Sequence, residues 1–236
     1  TLFPYTTLFR SILERYISAN YQSYNEMNGD NINDVFVDES KRIWLANYPT
    51  GITVIDYRYE NYHWMKHSMG NKQSIVNDQV HAVIEDSDGD LWFGTSNGIS
   101  LYNSGTGEWH SFLSSFNHQL KDKNHIFITL CEVSPGIIWA GGYTSGIYKI
   151  NKADLSVEYF SPYLLSHINM RPDKYIRDMI KDSKGHIWSG GYYNLKCFDL
   201  ATNSVRLYPG VSSITAIAEK DSHNMWIGTA KIGRAS

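Results

Sequence analysis

His63 and His67 stand four residues apart, the spacing at which two imidazoles on one helix face share a metal ion. Here the surrounding pattern reads as a strand, which would hold them about 13 Å apart at roughly 3.3 Å per residue, so neither a metal nor a cofactor is expected. Acidic residues recur at Asp38, Asp86 and Asp182, but each falls where a strand runs into a turn, a place where Asp accepts from local backbone donors. Cys131 and Cys197 occupy unequal positions in the repeat set out below and read as unpaired, buried thiols. No nucleophile elbow, phosphate-binding loop or paired-cysteine zinc motif is present. No catalytic residues are expected.

Recognition is the better use for the remaining rings and polar groups. One loop of the repeat carries Asn47-Tyr48, Ser96-Asn97, Tyr143-Thr144 and Tyr192-Tyr193, and one strand position varies as Asn33, His81, Phe127, Arg177 and Thr215. Rings beside amides and a guanidinium suit a sugar, whose C–H face stacks while its hydroxyls take fixed donors and acceptors. The candidate ligand-binding set is Tyr48, Asn97, Tyr143, Tyr192, Tyr193, Asn33, His81 and Arg177. The competing reading is that the tyrosines only lid the sheets beneath them.

What must position these residues is a repeat. Trp44, Trp92, Trp139, Trp188 and Trp226 lie 48, 47, 49 and 38 residues apart. An apolar, β-branched run precedes each, then a turn such as Asp88-Gly89 or Lys184-Gly185, and the tryptophan opens a second strand. Two residues on stands a small one: Ala46, Gly94, Gly141, Gly190 or Gly228, which would let a neighbouring chain approach. A third strand follows Gly51, Gly98, Gly146 and Asn194, the Asn standing for Gly at a left-handed position. Trp64, Phe112, Tyr159 and Tyr208 align in a fourth. Recurring residues are most simply packing residues, so all five tryptophans are expected in the core.

The spacing thus predicts an all-β β-propeller of four-stranded up-and-down blades, about five blade equivalents, forming an arc or part of a larger propeller. Blades fall at about 31–75, 76–124, 125–174 and 175–211, with partial blades at 12–30 and 212–230. The two partial blades would join if the ring closes, and Tyr163–Asp173 reads as a long insert. Residues 1–11 resemble a translated sequencing-adaptor scar, and 231–236 invite the same reading. A net charge of -3 with no basic block disfavours nucleic acid as a partner. The longest apolar runs, such as Ile126–Cys131, are too short to span a bilayer.

The pattern Asp86, Gly89, Leu91, Trp92, Gly94, Thr95, Gly98, Ile99 and Tyr102 resembles the two-component regulator propeller repeat, with partial copies at Asp182, Gly185, Trp188 and Gly190 and at Trp226, Gly228 and Thr229. The resemblance implies the periplasmic sensor region of a membrane-anchored hybrid histidine kinase. An oligosaccharide ligand, the rest of the sensor chain and a second copy in a homodimer would be its partners, with membrane contact made only through other segments. Two rival readings remain: a propeller that docks a protein, and a lyase of the streptogramin type. The lyase would need a His base, His81 or His125, beside a carboxylate-held magnesium, and no recurrent acid accompanies either.

Overall fold

The computed structural model describes residues 31–49, 51–55, 62–115, 125–160 and 174–230. The two end segments, the partial blade at 12–30, the insert at Tyr163–Asp173 and the side chain of His63 lie outside the described residues. The first sheet is formed by β1 (Asn31–Val37), β2 (Ile43–Tyr48), β3 (Gly51–Ile55) and β4 (Tyr62–Met65), hydrogen-bonded in that order. The second runs β5 (Val80–Glu85), β6 (Leu91–Thr95), β7 (Gly98–Tyr102), β8 (Trp109–Phe112), and the third β9 (Phe127–Ser134), β10 (Ile137–Gly142), β11 (Ile147–Asn151), β12 (Ser156–Phe160). The fourth comprises β13 (Ile176–Lys181), β14 (Ile187–Gly191), β15 (Leu195–Asp199) and β16 (Ser204–Tyr208), and the fifth β17 (Ile214–Asp221) and β18 (Asn224–Thr229). Every pairing within these sheets is antiparallel, and the first strands β1, β5, β9, β13 and β17 touch in succession. The architecture is all-β, up-and-down sheets set side by side as propeller blades, as the repeat predicts.

The core lies between sheets. Trp44 packs with Val80, Val83, Leu91 and Phe93 of the next blade, Trp92 with Leu130, Ile138 and Ala140, and Trp139 with Ile176, Met179 and Phe198. Each such fully buried large side chain contributes about 1.5–3 kcal/mol. The small residue after each tryptophan admits the following blade. A Cβ on Gly94 would stand 2.8 Å from the Phe127 carbonyl oxygen, and one on Gly190 would stand 2.8 Å from Ile214 Cβ. First strands can therefore press against the second strand of the preceding sheet, which closes the inner rim.

Polar chemistry holds the turn between first and second strands. Asp86 Oδ1 accepts from the amides of Asp88 and Asp90, and Oδ2 from the Trp92 indole at 2.9 Å. The same Asp-to-Trp bond recurs at Asp38 and Trp44, 3.0 Å, and at Asp182 and Trp188, 2.8 Å. Lys152, from the third blade, reaches across to Asp86, Asp88 and Asp90 at 2.7, 2.8 and 2.8 Å. Burial opposes charge on Asp86, yet the bonds from Lys152, Trp92 and the Asp90 amide outweigh it and hold the carboxyl below its ordinary value. Burial likewise opposes the Lys152 ammonium, and the three carboxylates overcome it and raise its proton affinity. A Ser–Glu clasp joins neighbouring turns: Ser87 to Glu132 through amide and hydroxyl, and Ser183 to Glu219 in the same way.

Several expectations need correction. Trp226 is 54% exposed, with the Lys220 ammonium 5.1 Å above its ring, because among the described residues no sheet follows β18 to cover that face. Asn194 does not take the left-handed conformation of Gly51, Gly98 and Gly146. Pairing of β14 with β15 ends at Ser189 and Lys196, so the wider loop needs no positive φ there. In the fourth strands the residues opposite Ile52, Ile99, Ile147 and Leu195 are Met65, Phe112, Phe160 and Tyr208, so Trp64 and Tyr159 are each one position off. Phe160 is the ring that packs against Trp139, tilted by 35° at 4.1 Å. Cys131 is buried but Cys197 only half so; both are free thiols, and burial pushes them up to about 12 and about 11.

Candidate ligand-binding mouth

The loops between second and third strands open beside the starts of the first strands. Tyr48, Ser96, Tyr143, Tyr192 and Ala230 occupy one column, since each follows the residue paired just ahead of the bulge in the first strand; at Tyr48 the ladder runs one pair further, to Asn31. Backbone bonds fix this column on both sides. The amides of Ser96, Tyr143 and Ala230 donate to Gln79, Ile126 and Ser213, just ahead of their own first strands. The amides of Gly98, Gly146 and Leu195 donate to His125, Lys174 and Val211, just ahead of the next blade. The rings at Tyr48, Tyr143 and Tyr192 remain 37, 48 and 61% exposed on this fixed backbone, and Tyr193 is exposed beside them. Tyr143 meets Tyr175 edge-to-face at 5.3 Å, and Tyr192 meets Tyr193 likewise at 5.3 Å.

Each first strand begins with a β-bulge. The unpaired extra residue is Asn33, His81, Ile128, Arg177 or Thr215. Phe127, expected in this column, is instead paired with Gly142 and fully buried, and Ile128 takes the bulge. Asn33 and His81 adjoin across blades 1 and 2. Asn33 Nδ2 donates to the Val80 carbonyl at 3.1 Å and faces His81 Nδ1 at 3.5 Å, so Nδ1 is the unprotonated nitrogen. His81 Nε2–H then donates to Ser96 Oγ at 2.8 Å, which leaves the serine hydroxyl its own proton to give outward. The ring lies 6.1 Å from Tyr48. Burial, then the Arg177 charge, lowers the proton affinity of His81 and keeps it neutral.

The next position along the first strand carries two acids that sequence reading missed. Asp34 Oδ1 accepts from the Val35 amide at 2.9 Å and Oδ2 from Val83 of the following blade at 3.1 Å. Asp178 repeats this with Met179, 2.8 Å, and Ile217, 2.6 Å. Burial pushes Asp34 up to about 6 and raises Asp178 as well, with Arg177 opposing the rise at Asp178. The signal was an acid inside an otherwise apolar strand, opposite the small residue of the repeat.

The other candidates fall as follows. Arg177 is exposed and makes no hydrogen bond or ion pair among the described residues. Asn97 is half-buried, its Oδ1 accepting from the Ser115 amide at 3.0 Å, which ties its loop to the segment after β8. His67 places Nδ1 on the Ile75 carbonyl at 2.8 Å, and His125 places Nδ1 on Leu113 at 2.7 Å, so both carry the proton there. Among the described residues no group of three His, Cys, Asp or Glu side chains is arranged to hold a metal ion.

Residues 74–97 match the family described as Two component regulator propeller. No curated protein matches the chain in sequence. Among solved structures, the extracellular domain of the hybrid two component system BT3049 from B. thetaiotaomicron is similar with a TM-score of 0.70 at 20% identity, over 86% of this chain and 27% of that one. The extracellular domain of BT4673 from the same organism gives 0.68 at 18%, over 89% and 30%. Virginiamycin B lyase from Staphylococcus aureus gives 0.62 at 13%, over 82% and 61%. The chain spans less than a third of the length of the two extracellular domains, and all three likenesses establish the propeller fold alone.

Proposed function

We propose that this chain, with its two-component regulator propeller repeat, is part of the extracytoplasmic ligand-sensing propeller of a membrane-anchored two-component signalling protein, and that its ligand is an oligosaccharide held at the tyrosine-bearing mouth. One observation carries the reading: three exposed tyrosines share a single structural column, and backbone bonds fasten the loops of Tyr143 and Tyr192 to the blade that follows. Rings presented this way are preorganised, so stacking a sugar on them costs little side-chain ordering. Ser96, Asn33 and neutral His81 supply donors and acceptors for hydroxyls at blades 1 and 2. The likeness to extracellular domains of hybrid two component systems supports the sensing half of the reading.

The mechanism is binding, with no bond made or broken. A ligand touching loops of adjacent blades favours one arrangement of the dimeric sensor, and that difference in affinity is all a kinase can read. The lyase reading has less support. His81 has both ring nitrogens engaged, and Asp34 and Asp178 bind backbone amides rather than facing a shared cation.

A thermal-shift and calorimetry panel of neutral and acidic oligosaccharides tests the proposal. A bound glycan raises the melting temperature, and the Tyr143→Ala, Tyr192→Ala double variant loses at least about tenfold in affinity. A protein-docking propeller would show no shift with any glycan, and full affinity in the double variant would remove the tyrosines from the site.

A further inference from the structure

We infer that the saccharide taken at this mouth bears a carboxylate and that Arg177 is the residue that reads it, an inference that rests on the saccharide reading above. Arg177 stands on the bulge of β13, where the extra residue is free of the sheet ladder and turned toward solvent. A guanidinium offers five donors in a planar fork, and here none has a partner among the described residues. The obvious internal partner is Asp178, next in the chain. Both its oxygens are committed to the amides of Met179 and Ile217. Asp34, the other acid at the inner rim, is committed in the same way to Val35 and Val83. Among the described residues, then, the exposed guanidinium has no internal acceptor.

Its surroundings fit a sugar acid. Tyr175 stands two residues before it and meets Tyr143 edge-on at 5.3 Å, while Tyr192 and Tyr193 come from the loop of the same blade. Exposed Lys174 adds a second cation to this stretch. By contrast, the polar side chains at blades 1 and 2 are Asn33, Ser96 and a neutral His81. The mouth thus carries hydroxyl-binding groups beside one ring, Tyr48, at blades 1 and 2, and several rings with a planar cation at blades 3 and 4. A uronate presents both complements at once: a C–H face for a ring and a planar carboxylate for a two-pronged bond, which arginine makes and lysine does not.

The test is calorimetry with trigalacturonate and with its methyl ester, which has the same rings and no charge, against wild type, Arg177→Gln and Arg177→Lys. Wild type should bind the acid at least about tenfold more tightly than the ester. Arg177→Gln should erase that difference by weakening the acid alone, Arg177→Lys should restore only part of it, and unliganded melting temperatures should match wild type. Equal affinity for acid and ester overturns the inference, as does an acid affinity that Arg177→Gln leaves unchanged. So does equally tight, Arg177-dependent binding of an oligothymidylate, which would mean a general polyanion surface. Binding of neutral oligosaccharides without the acid removes the inference and leaves the saccharide reading standing; binding of no saccharide removes both.

Discussion

Two cations, Lys152 at the turn end of the blades and Arg177 at the mouth end, have opposite surroundings. Lys152 bridges the third blade to the second and is held by Asp86, Asp88 and Asp90, all within 2.8 Å. Arg177 has no hydrogen-bond or ion-pair partner among the described residues. The turn end repeats: the Asp–Trp bond occurs in blades 1, 2 and 4, and the Ser–Glu clasp between blades 2 and 3 and between 4 and 5. At the mouth end the backbone repeats but the loop and bulge side chains differ from blade to blade, and Tyr143, Tyr192 and Arg177 are exposed. Polar groups that are satisfied internally hold blades together, whereas those left open are available to a ligand.

The largest effect expected from breaking this contrast is at Lys152. Lys152→Ala leaves buried Asp86 and Asp90 without their counter-charge and should cost about 3–5 kcal/mol in urea unfolding. Because bonding holds Asp86 below its unfolded value, its contribution is present above pH 3.8 and lost as pH falls through the lower folded value. The second test concerns Asp34, whose rise from 3.8 to about 6 has the opposite sign. The folded state takes up its proton first, so stability grows as pH falls from above 6 toward 3.8, by about 3 kcal/mol. His81, held neutral in the fold, works against this as pH falls through 6.5. Comparing wild type with Asp34→Asn at about pH 7.5 and about pH 4.5 isolates the carboxylate, and the variant should lack its share of the gain.

Within the turn end, the tryptophans sharpen the comparison. Trp92→Phe removes a donor to an ionised buried acceptor and should cost about 2–3 kcal/mol. Trp139 has Val133 six residues before it, where blades 1, 2 and 4 have Asp, and its environment is aromatic, with Phe160 at 4.1 Å and Phe198 at 5.5 Å. Trp139→Phe should cost only about 1 kcal/mol from lost area and a small void. Smallest of all, Tyr192→Ala should change stability by less than about 0.5 kcal/mol while removing a ring from the proposed site.

The scaffold was legible because its determinants are local and recur: an Asp two to six residues from the groups it binds, a tryptophan, and a glycine two residues later. The Lys152 cluster was not, since Lys152 lies 66 residues from Asp86 and only the stacking of blades brings them together. The bulge at Ile128 escaped notice because Phe127 and Ile128 are both apolar, and nothing in their types says which one leaves the ladder. In blade 2 the polar His81 between Val80 and Ala82 marked the variable position, though not that it leaves the ladder. Tyr159 was mistaken for Phe160 for the same reason, two adjacent aromatics of which only one pairs inward.

The bulge repeated at the start of each described first strand has an evolutionary consequence. A residue that contributes to no ladder pair can be exchanged without shifting register, so Asn, His, Ile, Arg and Thr are all accommodated in the same slot. Four of the blades therefore carry a position at which specificity can drift while the fold is conserved, Ile128 being buried, and a library randomised at Asn33, His81, Arg177 and Thr215 would diversify recognition with little loss of folded protein.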